Sequence, residues 1–368
     1  MKYFTTMIKP ASSLCNMRCG YCFYADVSDS REIKSYGIMK REIAEKLIDR
    51  VYEYINGPTT VNFSFQGGEP TLAGLDFFRN FIKYANKTLP KACILNFSIQ
   101  TNGYLIDEDW ASFLHDNNFL VGLSLDAYKE VHDFYRVDSK GEGTYKKIER
   151  ASEIFDKTEV EYNILTVISR QLAKHPDSVF NSYVKKRFKH VQLILCLNPL
   201  DTEIDLKKDI TPELYAAFMK RFFDLWAKAY FEGKIIHVRE FENIISKILG
   251  YPGEQCGMQG YCTAQFIVES DGGVYPCDFY VLDEYKAGSI IENSVDEISR
   301  SPQIIKFLTD TEELHPLCAS CKVFDLCKGG CKRNRKFYKT YGDYCPYQDF
   351  LYHSIDRFVK IAKGVRLE

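Results

Sequence analysis

The stretch FTTMIKPASSLCNMRCGYCFYAD, residues 4–26, decides how the rest of the chain is read. It opens on Thr5–Ile8, a short β-rich run that predicts a strand. Cys15, Cys19 and Cys22 follow in the loop behind it, three thiols within eight residues. Three is the informative number. A structural zinc or iron–sulfur site is ordinarily closed by four protein ligands, whereas a cubane held by three keeps an iron position open for a substrate or cofactor. Spacing alone leaves zinc with a distant fourth ligand as an equal reading.

Outward from this loop, β-rich runs recur at Val61–Phe65, Ile94–Gln100, Phe119–Ser124, Glu161–Ile168 and Val191–Cys196. Helix-like stretches lie between them, such as REIAEKLIDRVYEYI (41–55), LDFFRNFIKYANKTL (75–89) and DEDWASFLHDNN (107–118). Strands separated by helices predict βαβ units and a parallel sheet. Six units in the first two thirds suit either a partial barrel or an open doubly wound sheet, and both place active groups on loops after the strands' C-terminal ends. Residues 211–249 read as one or two helices bridging to a second region. From Cys256 onward the chain is rich in Cys, Gly and polar turns. Its one clear hairpin signal is FIVESDGGVYPC (266–277), with Asp271-Gly272-Gly273 at the turn. Little conventional core is expected there, so bound metal is expected to organise it.

The whole-chain figures agree with this. At about 150 residues per domain, 368 residues make two or three domains. Hydrophobic residues at 45% and charged residues at 27% exclude a disordered chain. Lys+Arg 48 against Asp+Glu 50 leaves a net charge of −2, with no general field for nucleic acid or anionic lipid. No run nears the ~18 apolar residues of a membrane span, and the N-terminus has no signal-peptide core, so a cytoplasmic protein is expected. In a reducing compartment 13 cysteines point to metal or redox chemistry. Eleven fall into two groups, Cys15–Cys22 and Cys256–Cys345; Cys93 and Cys196 stand alone in apolar runs and are expected to be small buried hydrophobes.

CxxxCxYCF resembles the signature of the radical S-adenosylmethionine (radical SAM) superfamily. The resemblance implies a 4Fe–4S cluster on Cys15, Cys19 and Cys22 whose open iron chelates SAM, and cleavage of SAM to a 5′-deoxyadenosyl radical. Gln66-Gly67-Gly68-Glu69-Pro70, after the second strand, is similar to the family's GGEP loop, which holds the SAM amino group; Gly68 and Glu69 are the expected contacts. After the fourth strand, Ser124, Asp126 and Arg136 match positions that approach the SAM ribose and carboxylate, and Tyr21 and Leu197 are implied as further contacts. The fold implied is α/β, a partial (β/α)6 TIM-like barrel followed by a small cysteine-rich iron–sulfur domain. The expected division is a barrel over 1–210, a helical bridge over 211–255, and a two-cluster region with a C-terminal helix over 256–368.

The second cysteine group runs Cys256-x5-Cys262, Cys277, Cys318-x2-Cys321-x5-Cys327-x3-Cys331 and Cys345. Eight thiols make two closed tetrathiolate sites by arithmetic, for zinc or for clusters. The pattern resembles the SPASM extension of radical SAM proteins. That resemblance assigns Cys256, Cys262, Cys277 and Cys331 to one auxiliary cluster and Cys318, Cys321, Cys327 and Cys345 to another, for three 4Fe–4S clusters in all. The stretches CxYCFY (19–24), SYGIM (35–39), FQGGEPTLAGL (65–75), VESDGGVYPCDFYVL (268–282) and LCKGGCKRNR (326–335) are similar to anaerobic sulfatase-maturating enzymes. Such enzymes oxidise a Cys or Ser on an unfolded or nascent sulfatase to Cα-formylglycine, and Asp278 matches their general base. An electron donor such as flavodoxin or ferredoxin is implied as partner. Two positions depart from the pattern: Asp126-Ala127-Tyr128 replaces Asp-Gly-Pro, and Ala264 stands where some relatives carry a cysteine. Tyr24 and Gln66 flank the SAM loops as candidates for the peptide channel, and Arg239 and Arg335 as candidates for steering acidic groups. The rival enzyme reading is a radical SAM maturase of another ribosomal peptide, making a thioether crosslink or epimerising a residue. The 14 residues before Cys15 weigh against it, being too few for a precursor-recognition domain. The non-enzyme rival is a structural zinc protein.

Overall fold

In β1 (Lys2–Ile8), Phe4, Thr6 and Ile8 are buried on one face while Thr5 is exposed on the other, the two-residue alternation of a strand. The computed structural model describes residues 2–366 apart from 201, 204 and 311. Their contacts divide into two units; the first runs to Ser124 and adds Tyr135–Tyr162 and Thr263–Asp310.

In the first unit β1, β2 (Thr59–Phe65), β3 (Ile94–Thr101) and β4 (Phe119–Ser124) pair in parallel in that order, with Ile8 level with Phe65 and Phe65 with Ile99. Helices Arg41–Tyr54, Leu75–Thr88 and Glu108–Asp116 make the crossovers, each burying one stripe such as Phe78, Phe81 and Ile82. That stripe meets the apolar face of the strands. Phe63 lies 5.1 Å from Phe81, and Phe65 4.9 Å from Phe78, between ring centroids. The opposite face is polar. Asn62 donates to Thr5 Oγ1 at 3.0 Å, Asn96 to Asn62 at 2.9 Å, and Ser98 to Ser64 at 2.9 Å. A doubly wound sheet is apolar on both faces, so this ladder decides against that alternative.

The second unit is Leu125–Phe134, Asn163–Cys262 and Thr311 onward. Here β5 (Tyr162–Ile168) pairs in parallel with β6 (His190–Leu195), and β6 with β7 (His237–Val238). The region expected as one or two helices forms two, Pro212–Phe231 and Arg239–Ile248. The first begins with Thr211 accepting from the Leu214 amide and with proline at its first position, which loses no helical hydrogen bond there. Both pack with the C-terminal helix Pro346–Arg366 around Phe223, which lies 5.4 Å from Phe241 and 4.4 Å from Phe358. Lys220 to Asp349 at 2.8 Å, and Asp224 to His353 at 2.7 Å, tie the long helices at their rims.

At Thr263 the chain returns to the first unit. The expected hairpin forms from β8 (Ile267–Val268) and antiparallel β9 (Gly273–Tyr275), and β10 (Gly288–Ser289) pairs with β9. In addition β8 pairs in parallel with β1, Met7 opposite Ile267 and Ile8 opposite Val268. This corrects the expectation of little core beyond Cys256: Ile267, Val268, Val274, Tyr275, Ile290, Ile298 and Phe307 are all buried. Strands of two or three residues are too short to show a period, which hides this core from pattern reading. Cys93 and Cys196 are half-buried rather than fully buried.

Phe223→Ala should cost about 3–5 kcal/mol through the cavity left among Phe241, Phe350 and Phe358, and Phe223→Leu less than half of that. Thermal or urea unfolding of the two variants checks the order.

Candidate active site

Three loops at the C-terminal ends of β1, β2 and β3 build the site. The loop after β1 carries Cys15, Cys19 and Cys22, and the loop after β2 lies directly on it: Gly68 N–H donates to Ser12 O and Glu69 N–H to Leu14 O, both at 2.8 Å. The approach is so close that a Cβ on Gly68 would stand 2.1 Å from the Leu14 carbonyl oxygen. Only glycine fits there. Gly67, at φ +130°, passes the Ser12 carbonyl under the same constraint.

Glu69 is 1% exposed. Its carboxylate is engaged by the protein: Oε1 accepts from Thr71 N–H (3.0 Å), Thr71 Oγ1 (2.6 Å) and Thr101 Oγ1 (2.8 Å), and Oε2 from Asn102 N–H (2.7 Å). Burial pushes its carboxyl above the usual range, against the pull of these bonds. In the structure, then, the carboxylate braces the loops after β2 and β3 against each other. Asn102 also reaches the thiol loop, donating to Asn16 Oδ1 at 2.8 Å and to Cys15 Sγ at 3.6 Å.

Burial, with Glu69, Cys19 and Cys22 adding their negative charge, pushes the Cys15 thiol up to about 12. Held as thiolates, these groups need a positive core among them, and soft sulfur donors suit iron–sulfur. Arg136 is buried, its guanidinium 5.3 Å over the Tyr21 ring and 3.9 Å from Cys19 Sγ. The backbone on either side of it is laced to the cysteine loop by Arg18 N–H to Val137 O (2.7 Å) and Gly20 N–H to Tyr135 O (2.8 Å). Ser124 ends β4, half-buried. The structure therefore brings Cys15, Cys19, Cys22, Tyr21, Gly68, Glu69 and Arg136 into one set of neighbouring loops.

Asp278 and Cys277 also belong to the first unit. Asp278 is 8% exposed; Lys9 Nζ lies 2.5 Å from its Oδ1, and Gln66 Nε2 donates to Oδ2 at 2.9 Å. Gln66 is thus a partner of the candidate base. Tyr24 is buried, its ring 3.8 Å beneath the Lys9 ammonium and its hydroxyl donating to Glu269, which Arg31 pairs at 2.8 Å. Sequence reading missed Lys9, Arg31 and Glu269. The available signal was the position of Lys9, one residue past an apolar strand end and in register with Gln66 past the next.

The second unit holds the rest of the second cysteine group, Cys256, Cys262, Cys318, Cys321, Cys327, Cys331 and Cys345. Burial raises the Cys331 thiol, and the charges of Cys256 and Cys262 add to it. Burial and the charges of Cys345, Cys321 and Cys318 push Cys327 up to about 12. Cys331 packs beside the Cys256 loop, where a Cβ on Gly257 would stand 3.1 Å from Cys331 Cβ. Arg335 is buried rather than exposed for steering: it donates to Glu312 O at 2.6 Å and its charge opposes the rise of the Cys318 thiol. Arg239 donates to Gln192 at 3.1 Å. Asp126 is buried and accepts from Val167 N–H at 2.9 Å, and Leu197 is half-buried beyond β6.

Residues 10–172 match the radical SAM superfamily and residues 256–322 an iron–sulfur cluster-binding domain; Cys327, Cys331 and Cys345 lie beyond the second match. The chain is a radical SAM enzyme with the α/β fold of that superfamily, a partial barrel with a parallel sheet and a cysteine-rich C-terminal region, and its cofactors are SAM and three 4Fe–4S clusters. A cysteine-type anaerobic sulfatase-maturating enzyme of Clostridium perfringens is 43% identical over 98% of each chain. A serine-type one of Bacteroides thetaiotaomicron is 28% identical over 94% of this chain and 90% of its own. The solved structure of native anSMEcpe with bound AdoMet and Cp18Cys peptide superposes with a TM-score of 0.91 at 41% identity, covering 99% of both chains. The chain belongs to the anaerobic sulfatase-maturating enzymes.

Gly68→Ala should displace the cysteine loop and remove the iron of one 4Fe–4S cluster while the remaining iron stays bound, read as iron per chain and by electron paramagnetic resonance. Glu69→Gln, which puts donors against donors, should cost about 1–3 kcal/mol of stability and weaken SAM binding, read by thermal unfolding and equilibrium dialysis.

Proposed function

We propose that this chain oxidises a cysteine of a sulfatase polypeptide to Cα-formylglycine. The observation that carries the reading is Asp278. It is a carboxylate held by Lys9 and Gln66 at the ends of β1 and β2, next in sequence to Cys277 and in the same unit as the three-thiol loop. A cysteine target is favoured over serine because the chain is 43% identical to a cysteine-type enzyme and 28% identical to a serine-type one.

In this reading Cys15, Cys19 and Cys22 hold the SAM-binding cluster, Cys318, Cys321, Cys327 and Cys345 hold a second, and Cys256, Cys262 and Cys331 serve the third, to which the resemblance also assigns Cys277. Gly68 and the loop braced by Glu69 would hold the SAM amino group, and Tyr21, Ser124 and Arg136 would be further contacts. When bound, SAM and the clusters supply a radical that takes a hydrogen atom from the target Cβ and a sink for the electron left behind. Asp278 accepts the thiol proton. Loss of one hydrogen atom, one proton and one electron turns the CH2–SH group into a thioaldehyde, and water exchanges its sulfur for oxygen with release of hydrogen sulfide. Among the described residues no helix is long and apolar enough to cross a membrane. A cytoplasmic site of action fits cysteines spaced as cluster ligands rather than as a disulfide framework, and a one-electron carrier such as flavodoxin or ferredoxin fits the need for reductant.

Anaerobic incubation of the iron-reconstituted protein with SAM, dithionite and a sulfatase-derived peptide in Cys and Ser versions tests the proposal. Mass spectrometry should find the aldehyde on the Cys peptide, and Asp278→Asn should lower its yield by about 100-fold or more while deoxyadenosine is still released. Deoxyadenosine with neither peptide changed by the wild type would turn the search to other ribosomal peptides.

A further inference from the structure

We propose that Lys9 is the positioning residue for the Asp278 carboxylate, the group that couples proton removal to hydrogen abstraction; the proposal rests on the reading of Asp278 as proton acceptor. Lys9 is fully buried, and an ammonium so placed is costly unless it is paired. Its partner is Asp278 Oδ1, 2.5 Å away, and the Tyr24 ring lies 3.8 Å from the ammonium.

The arrangement is fixed from every side. Lys9 N–H donates to Val268 O at 2.9 Å and Gln66 N–H to Ile8 O at 3.0 Å, so both residues that hold Asp278 are anchored at the strand ends. Gly67 leaves room for the Lys9 stem, since a Cβ there would stand 3.3 Å from Lys9 Cβ. Tyr24 is locked by its hydroxyl to Glu269, which Arg31 holds in turn, so the ring under the ammonium stays in place. Lys9 takes Oδ1 and Gln66 takes Oδ2, which sets the carboxylate plane and leaves each oxygen one lone pair for an incoming proton. An ion pair needed only for stability would gain as much from apolar packing of the same volume. One that aims a carboxylate has a use in the reaction, because a base must lie within hydrogen-bond reach of the proton it takes.

The test compares iron-reconstituted wild type, Lys9→Met, Lys9→Arg, Asp278→Asn and the Lys9→Met/Asp278→Asn double variant on the Cys peptide, measuring aldehyde, deoxyadenosine, iron per chain and peptide KM. For Lys9→Met, aldehyde formed per deoxyadenosine should fall by about 100-fold with iron and KM near wild type. Lys9→Arg should regain part of the ratio. The double variant should match Asp278→Asn alone, because a residue acting through Asp278 has nothing further to lose. A wild-type ratio in Lys9→Met, additive losses in the double variant, or joint loss of iron, deoxyadenosine and aldehyde would each overturn the proposal. An absence of aldehyde from the wild type removes the reading beneath it instead.

Discussion

The pairing of β1 with β8 is the contact on which the site depends. It joins Met7 and Ile8 to Ile267 and Val268, and Thr6 Oγ1 adds a hydrogen bond to Phe266 O at 2.8 Å. Two residues of parallel ladder are little stabilisation by themselves. Closing so long a loop costs only slowly more as the loop grows, however, and the buried Ile267, Val268, Val274 and Tyr275 supply apolar area against it. Because β8 is pinned to β1, the turn after β9 delivers Asp278 to the end of β1, where Lys9 waits 269 positions away in sequence.

Charge placement follows from the split character of the first unit's strands. One face carries phenylalanines against helices, and the other carries Thr5, Asn62, Ser64, Asn96 and Ser98. Lys9 and Gln66 extend that polar face past the ends of β1 and β2. A carboxylate brought there meets donors rather than hydrocarbon, so Asp278 is tolerated while nearly buried. Glu69 is accommodated differently, by four hydrogen bonds from two loops. In the second unit Lys332, Arg333 and Arg335 are buried in the stretch that follows Cys331, and Arg335 offsets part of the negative charge at Cys318.

Much of this was legible in the sequence. The first six strand positions were readable because β-rich runs alternate with helical stretches, and β1 to β6 each overlap their expected run, whereas β7, inside the stretch read as helical, and β10 were not read. The cysteine loop and the glycine loop were readable because their chemistry constrains residue type: Gly68 admits no Cβ, and thiol spacing is countable; Asp278 was singled out by the resemblance of the stretch around Cys277 alone. Strand pattern alone left doubly wound sheet and partial barrel open; the resemblance implied the barrel, and the Asn and Ser side chains that bond across strands agree with it. The core after Thr263 was hidden because its strands are two or three residues long.

By itself, then, the sequence determined which residue types carry the chemistry and on which strand ends they fall, since ligand spacing and hydrophobic period are local properties. Tertiary structure alone decided which distant groups meet. Cys331 with Cys256 and Cys262, Glu69 with Asn102, and Lys9 with Asp278 are pairings across tens to hundreds of residues. Strand register and loop packing set those pairings, and no local pattern encodes them.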